Sequence, residues 1–208
     1  MILQREDRQT VVRGRFNPHI INPEWLKSEG IWQADQVQMH LGAIFEGLNF
    51  GTADMKTEWA VENRGLAIKS DNEDCGDLAA QVVKKLPHTP VTAVGNNFAY
   101  TVSPDETSGE IPKFGALIRQ SFSPDLAFDE LTWSGALPLT RGTGRISVGV
   151  TLPPDGDLIV RFNFHRDIKK TSGGSAVANS TAEAARSFKE DELESRQLVE
   201  IILNKRFQ

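Results

Sequence analysis

The sequence predicts an α+β fold: one large, curved antiparallel sheet with helices on one face, the last of them long. Three features carry that expectation. Over several stretches apolar and polar residues alternate, the period of a strand with one buried face. Val37, Met39, Leu41, Ala43 and Phe45, for example, interleave with Gln36, Gln38, His40 and Gly42. Two other stretches repeat at helical spacing: Leu78, Val82, Val83 and Leu86, then Leu193, Leu198, Val199, Ile202 and Leu203. Strands outnumber helices and follow one another through short turns, which suits antiparallel neighbours with helices covering one side.

The elements follow in order. Thr10–Phe16 reads as a strand ending in the turn Asn17-Pro18-His19. Asn22 is placed to cap a short helix with Pro23 at its first position, and Gly30 to end it. A strand is expected over Val37–Phe45, and a hairpin joins Thr57–Val61 to Leu66–Lys69 through Glu62-Asn63-Arg64-Gly65. A helix from Asp74 to Leu86 has acidic residues before it, Lys84 and Lys85 at its end, and Pro87 as a stop. Pro90–Val102 is a strand with Gly95-Asn96 suited to a bulge. Ser103–Gly109 and Ser121–Asp125 are polar loops, and Phe114, Leu117 and Ile118 between them fit a short helix or a strand. Leu131–Leu139, Arg145–Leu152 and Leu158–Ile168 are three successive strands, the last two joined by Pro153-Pro154-Asp155-Gly156. Lys169–Ser180, rich in Ser, Gly and Thr, reads as a mobile loop. Ser187 and Glu190 match a capping box at the start of the final helix. In outline, Trp59–Lys69 plus the 74–86 helix is repeated by the 145–168 strand pair plus the final helix. One domain over 1–208, with degenerate half-repeats 1–102 and 110–208, is therefore expected.

The 208 residues include 23 Lys+Arg and 28 Asp+Glu, a formal net charge of −5, which argues against general nucleic-acid or anionic-membrane binding. The single cysteine, Cys75, excludes an intramolecular disulfide and a multi-cysteine zinc site, and fits a reducing cytoplasm. The first residues turn charged too early for a signal peptide, and no apolar run approaches the roughly 20 residues of a membrane span.

Chemistry-bearing patterns are sparse. Cys75 lies near a helix N-terminus, but Asp71, Glu73, Asp74 and Asp77 around it oppose a thiolate. No Gly-x-Ser-x-Gly elbow occurs, and His19, His40, His88 and His165 show no metal-ligand spacing. Arg141-Gly142-Thr143-Gly144-Arg145 lacks the Lys-Ser/Thr pair of a phosphate loop and suits a hairpin. Trp25, Trp32, Trp59 and Trp133 lack the basic background of a single-strand groove. No cofactor is expected. Arg161, Asn163, His165 and Asp167 share one face of a strand and, with His88, are the candidates for a polar pocket. On the opposite face, Val148, Val150, Phe162 and Phe164, together with Leu198 and Ile202 of the final helix, would line an apolar cavity if the sheet gripped that helix.

The string Leu86-Pro87-His88-Thr89-Pro90-Val91-Thr92-Ala93-Val94-Gly95-Asn96-Asn97 resembles one in an uncharacterised, sporadically distributed bacterial family, which carries Leu-Pro-His-Thr-Pro-Val-Thr-Ala-x-Gly-x-Asn after a helix. Gly14-Arg15-Phe16-Asn17-Pro18 is similar too. The resemblance brings no activity, cofactor or catalytic residue. The patchy distribution of that family implies accessory loci such as phage defence.

The functional expectation is a non-enzymatic binding or assembly protein, such as a sensor or accessory subunit of a bacterial antiviral system. Its partner would be another protein or a second copy of the chain. One alternative is a carrier of a hydrophobic small molecule or lipid, of helix-grip type. Another is a hydrolase built on the polar sheet face.

Overall fold

The computed structural model describes residues 4–34, 37–40, 47–102, 131–152, 158–169 and 174–204. Within them lie nine strands: β1 (Gln4–Gly14), β2 (Val37–His40), β3 (Gly47–Thr52), β4 (Thr57–Glu62), β5 (Gly65–Ser70), β6 (Val91–Val102), β7 (Leu131–Pro138), β8 (Arg145–Leu152) and β9 (Leu158–Asp167). Four helices accompany them: α1 (Pro23–Ser28), α2 (Cys75–Lys85), α3 (Gly174–Arg186) and α4 (Phe188–Asn204). The strands form one sheet in the order β2-β3-β4-β5-β1-β6-β9-β8-β7, every pair antiparallel. The fold is α+β, with the C-terminal helical stretch broken only at Ser187.

A single topology is used twice. In the first half β1 is followed by α1, the outer strand β2 and the meander β3-β4-β5, and β5 returns to pair with β1; among the described strands β2 has no counterpart in the second half. In the second, β6 is followed by β7-β8-β9, and β9 returns to pair with β6. A helix follows each returning strand, and β1 and β6 meet antiparallel at the centre. Topological equivalence thus divides the chain between α2 and β6, whereas the sequence pattern groups β6 with the first half.

Alternation on the strands decides which face is covered. Val12, Val61, Ile68, Phe98, Phe162 and Phe164 are buried on one face, where Phe50 and Trp59 stack on each other and pack against Trp32. The helices pack closely because the contacts are small. A Cβ on Gly76, in the first turn of α2, would fall on the carbonyl oxygen of Ala185 near the end of α3. A Cβ on Gly174, which opens α3, would fall 2.6 Å from the Pro87 carbonyl just past α2. The two helices therefore run antiparallel, with Ala79, Ala80, Ala182 and Ala185 buried. α3 lies over β6, and α4 crosses β6 and β9.

Several local signals act as expected. Asn22 Oδ1 accepts from the Trp25 N–H and caps α1, Asp74 caps α2 by accepting from Asp77, and Gly30 adopts a φ of 67° after α1. Other elements differ. Residues 47–52 form β3, although their glycines dilute any alternation. The stretch read as a mobile loop already enters α3 at Gly174, and the alanines of that helix supply its apolar side. Ser187 does not close a capping box: its Oγ donates 3.3 Å back to the Glu183 carbonyl, at the break between α3 and α4. Gly95-Asn96 is no bulge, since register with β1 and β9 runs through it unbroken. Gly95 is small for another reason: a Cβ there would lie 3.0 Å from Asn163 Nδ2, which crosses it. The expected strand over residues 41–45, the loops and hydrophobic segment within 103–125, and the turn at 153–156 lie outside the described residues.

Candidate functional site

Where α4 passes the start of β1, three arginines gather around one carboxylate. A bulge makes this arrangement possible. Arg5 pairs with Tyr100 and Asp7 with Ala99, so register shifts at Glu6. That shift puts Arg5 and Arg8, three residues apart, on the same helix-covered face. Arg8 Nε donates to Glu192 Oε2 at 3.1 Å, and Arg5 Nη1 donates to Glu192 Oε1 at 3.2 Å. Arg196, one turn along α4, donates to that same Oε1 at 3.0 Å.

The three cations are not equivalent. Arg8 is buried and the most heavily bonded: its Nη1 also donates to the Ser70 and Glu73 carbonyls, and its guanidinium lies 4.6 Å from the centre of the Phe188 ring. Arg5 has one further bond, to the Asp71 carbonyl at 2.8 Å. The side chains of Arg5 and Arg196 remain 31% and 51% exposed, so both keep donors in reach of solvent. With Asp71 and Tyr100 they line a cavity of about 380 Å³. The Tyr100 hydroxyl lies 2.6 Å from Ser195 Oγ, which donates to the Glu192 carbonyl, so Tyr100 is the donor to Ser195.

Charge at this spot runs against the chain as a whole. Arg5, Arg8 and Arg196 face Glu192 and Asp71, a surplus of one positive charge in a chain with a net charge of −5. Burial pushes the Glu192 carboxyl up, but the guanidinium groups of Arg8 and Arg196 outweigh it and hold the pKa below the ordinary value. Burial raises the Tyr100 phenol above its ordinary value, so at neutral pH it stays protonated and able to donate.

Directly beside this cluster a second polar network anchors α4 to the sheet. Arg166 of β9 donates from Nη1 and Nη2 to the two carboxylate oxygens of Asp191, each at 2.7 Å. Asn96 Nδ2 donates to Asp191 at 2.8 Å, and Thr10 Oγ1 donates to Asn96 Oδ1 at 2.9 Å. All four side chains are buried. One fork therefore joins β1, β6, β9 and α4, and sets where Glu192 and Arg196 stand.

The residues singled out from the sequence fall into three places. Val148, Val150, Phe162, Phe164, Leu198 and Ile202 all join the single apolar cluster under the helices. Phe162 contacts Tyr100 at 6.3 Å between ring centres, and Phe164 contacts Phe98 at 5.9 Å. None of the six lines the cavity at Arg5. Arg161, Asn163, His165 and Asp167 stand together on the sheet face away from the helices. There Asn163 Nδ2 donates to Asn97 Oδ1, Arg161 donates to Thr151 Oγ1 at 3.3 Å, and His165 Nε2 lies 3.0 Å from Asp167 Oδ1. His88 is not with them: it is exposed in the turn after α2, its ring beside Gly174 on the helix side. Cys75 is buried, and loss of solvation pushes its thiol up to about 12, the behaviour of a packing residue. Among the described residues, no three His, Cys, Asp or Glu side chains stand close enough to share a metal ion.

Sequence reasoning missed Arg5, Tyr100, Glu192 and Arg196. The i, i+4 pair Glu192–Arg196 was visible, and Tyr100 is the only tyrosine. What joins them is a contact between residues 187 positions apart, which no local pattern encodes. No protein-family model matches the chain, and comparisons with curated proteins and with solved structures find no match.

Proposed function

We propose that the chain is a binding protein without catalytic chemistry of its own, and that its ligand is a small anion bearing phosphate or carboxylate groups. One observation carries this reading: two partly exposed guanidinium groups, Arg5 and Arg196, share one Glu192 oxygen at the wall of a cavity of about 380 Å³. A cavity of that size is at the small end for small-molecule sites. Guanidinium groups present paired donors that match the oxygens of phosphate or carboxylate, and the neutral Tyr100 hydroxyl adds a polar atom nearby. Glu192 serves as the built-in counter-ion that holds both arginines in place before a ligand arrives. The apolar residues under α4 act as core in this reading, since all six belong to one apolar cluster and none lines the cavity at Arg5.

Isothermal titration calorimetry with inorganic phosphate and, separately, citrate tests the proposal. Binding at about 1 mM is expected for either probe, which corresponds to about 4 kcal/mol. Arg196→Ala should weaken it at least tenfold while leaving thermal stability within about 1 kcal/mol, because that side chain is half exposed. Absence of heat from the wild-type protein with both probes at saturating concentration overturns the reading. So does unchanged binding in the variant.

A further inference from the structure

Resting on the anion-site reading of the Arg5 cavity, we propose that its ligand is an acidic α-amino acid, with its carboxylates on Arg5 and Arg196 and its ammonium on Asp71. A phosphate or a plain dicarboxylate satisfies the two guanidinium groups, but it also brings negative charge to a wall that holds Asp71. Like charges at close range disfavour each other. An ammonium carried on the same ligand turns that conflict into an attraction.

Asp71 is the wall residue that a plain anion leaves unsatisfied. Among the described residues, Asp7, Asp54, Asp74, Asp77, Asp167 and Asp191 each have a bonded partner for the carboxylate, and Asp71 does not. Arg5 Nη2 donates 2.8 Å to the Asp71 backbone carbonyl, yet the two side chains form no ion pair. The wall therefore presents a positive and a negative pole instead of a cancelled pair. The Tyr100 hydroxyl gives its proton to Ser195, so its oxygen acts only as an acceptor. An ammonium, which donates and never accepts, complements a carboxylate and an acceptor oxygen on one wall. Two further features select a second carboxylate on the ligand. Arg5 and Arg196 each have more N–H donors than bonds within the described protein, so each can take a carboxylate of its own. With Arg8 and Glu192 counted, the surplus at this spot is one positive charge. An acidic amino acid at neutral pH carries the matching charge, two carboxylates against one ammonium. Among the described residues the wall holds charged side chains and a tyrosine but no aliphatic one, which suits a ligand that is polar throughout.

Isothermal titration calorimetry with L-glutamate, glutarate and L-glutamine separates the contributions. Glutarate keeps both carboxylates and lacks the ammonium; L-glutamine keeps the ammonium and lacks one carboxylate. L-Glutamate should bind at least about tenfold more tightly than either, the scale of one hydrogen bond between charged groups. Asp71→Asn should weaken L-glutamate by about tenfold and tighten glutarate severalfold, because a negative charge leaves the wall. Unfolding would weaken both ligands together, and circular dichroism should show the fold retained, since Asp71 is exposed. L-Glutamate no tighter than glutarate or L-glutamine overturns the proposal, as does an Asp71→Asn variant that keeps the preference. If phosphate and glutarate bind and L-glutamate gains nothing over them, the anion site stands and only the amino acid is lost. Silence from phosphate, citrate, glutarate and L-glutamate alike overturns both.

Discussion

Apart from the edge strand β2, the two described halves of the sheet share a strand order, but they differ in the helices that follow it. After β5 the first half adds one helix, α2; after β9 the second adds α3 and then α4. α2 and α3 are counterparts that pack against each other through glycine and alanine. Among the described residues α4 has no counterpart, and it supplies Arg196 to the cavity at Arg5, with Glu192 and Ser195 bonded behind that wall. The shared strands make the core and supply Arg5 and Tyr100, and the helix without a described counterpart completes the site with Arg196 and its counter-ion Glu192.

That division can be broken at α4 first. Asp191→Ala strips the buried Arg166 of its partner and leaves Asn96 without its acceptor, and should cost about 3–5 kcal/mol in urea denaturation. Phosphate binding should fall with it, even under conditions where the sheet remains folded. The shared helix pair is tested by Gly76→Ala. In an open helix this change would gain about 1 kcal/mol. Here the added methyl meets the Ala185 carbonyl and Phe188 Cβ, so a loss of about 3 kcal/mol is expected from thermal unfolding. An effect near zero or a gain would mean that α2 and α3 slide apart freely.

Glu192 provides a smaller and pH-dependent contrast. Its carboxyl titrates below the ordinary value in the folded state, so its stabilisation is complete above about pH 4.5 and is lost as pH falls through the lowered value. Glu192→Gln should cost about 2 kcal/mol at pH 7, the scale of hydrogen bonds to charged groups. The gap between wild type and variant should close as melting curves are taken progressively below pH 4.5. A gap that stayed constant down to pH 3 would show that the three arginines do not stabilise the ionised carboxylate.

Local chemistry told a good deal about this fold and little about its site. The caps at Asn22 and Asp74, the Glu62–Gly65 turn and the alternation on β9 depend on neighbours within a few residues, so their signals survive in one sequence. β3 was hidden because Gly47 and Gly51 occupy the strand face where Glu62 and Glu58 pass close by, removing the side chains that would mark alternation. α3 was hidden because its buried side is alanine and threonine, the residues that let helices approach closely yet score weakly as an apolar stripe. Leu193 shows the reverse error: it fits the helical stripe but is 60% exposed, while Phe188 is the buried anchor of α4. The arginine cluster depends on a one-residue bulge at Glu6 and on contact across nearly the whole chain.

The central position of β1 and β6 has a consequence for synthesis. Once α2 has emerged, β3, β4 and β5 can already close on β1, and β6 then covers the remaining side of β1. The outer side of β6 must wait for β9. At about 5–20 residues per second, the stretch from Val102 to Asp167 takes about 3–13 s to make. During that interval the nascent sheet ends in a mostly apolar strand, and a ribosome-bound chain has to keep that edge from neighbouring polypeptides. α4 follows β9 in the chain, so the pocket at Arg5 can form only once every strand of the sheet beneath it has been made.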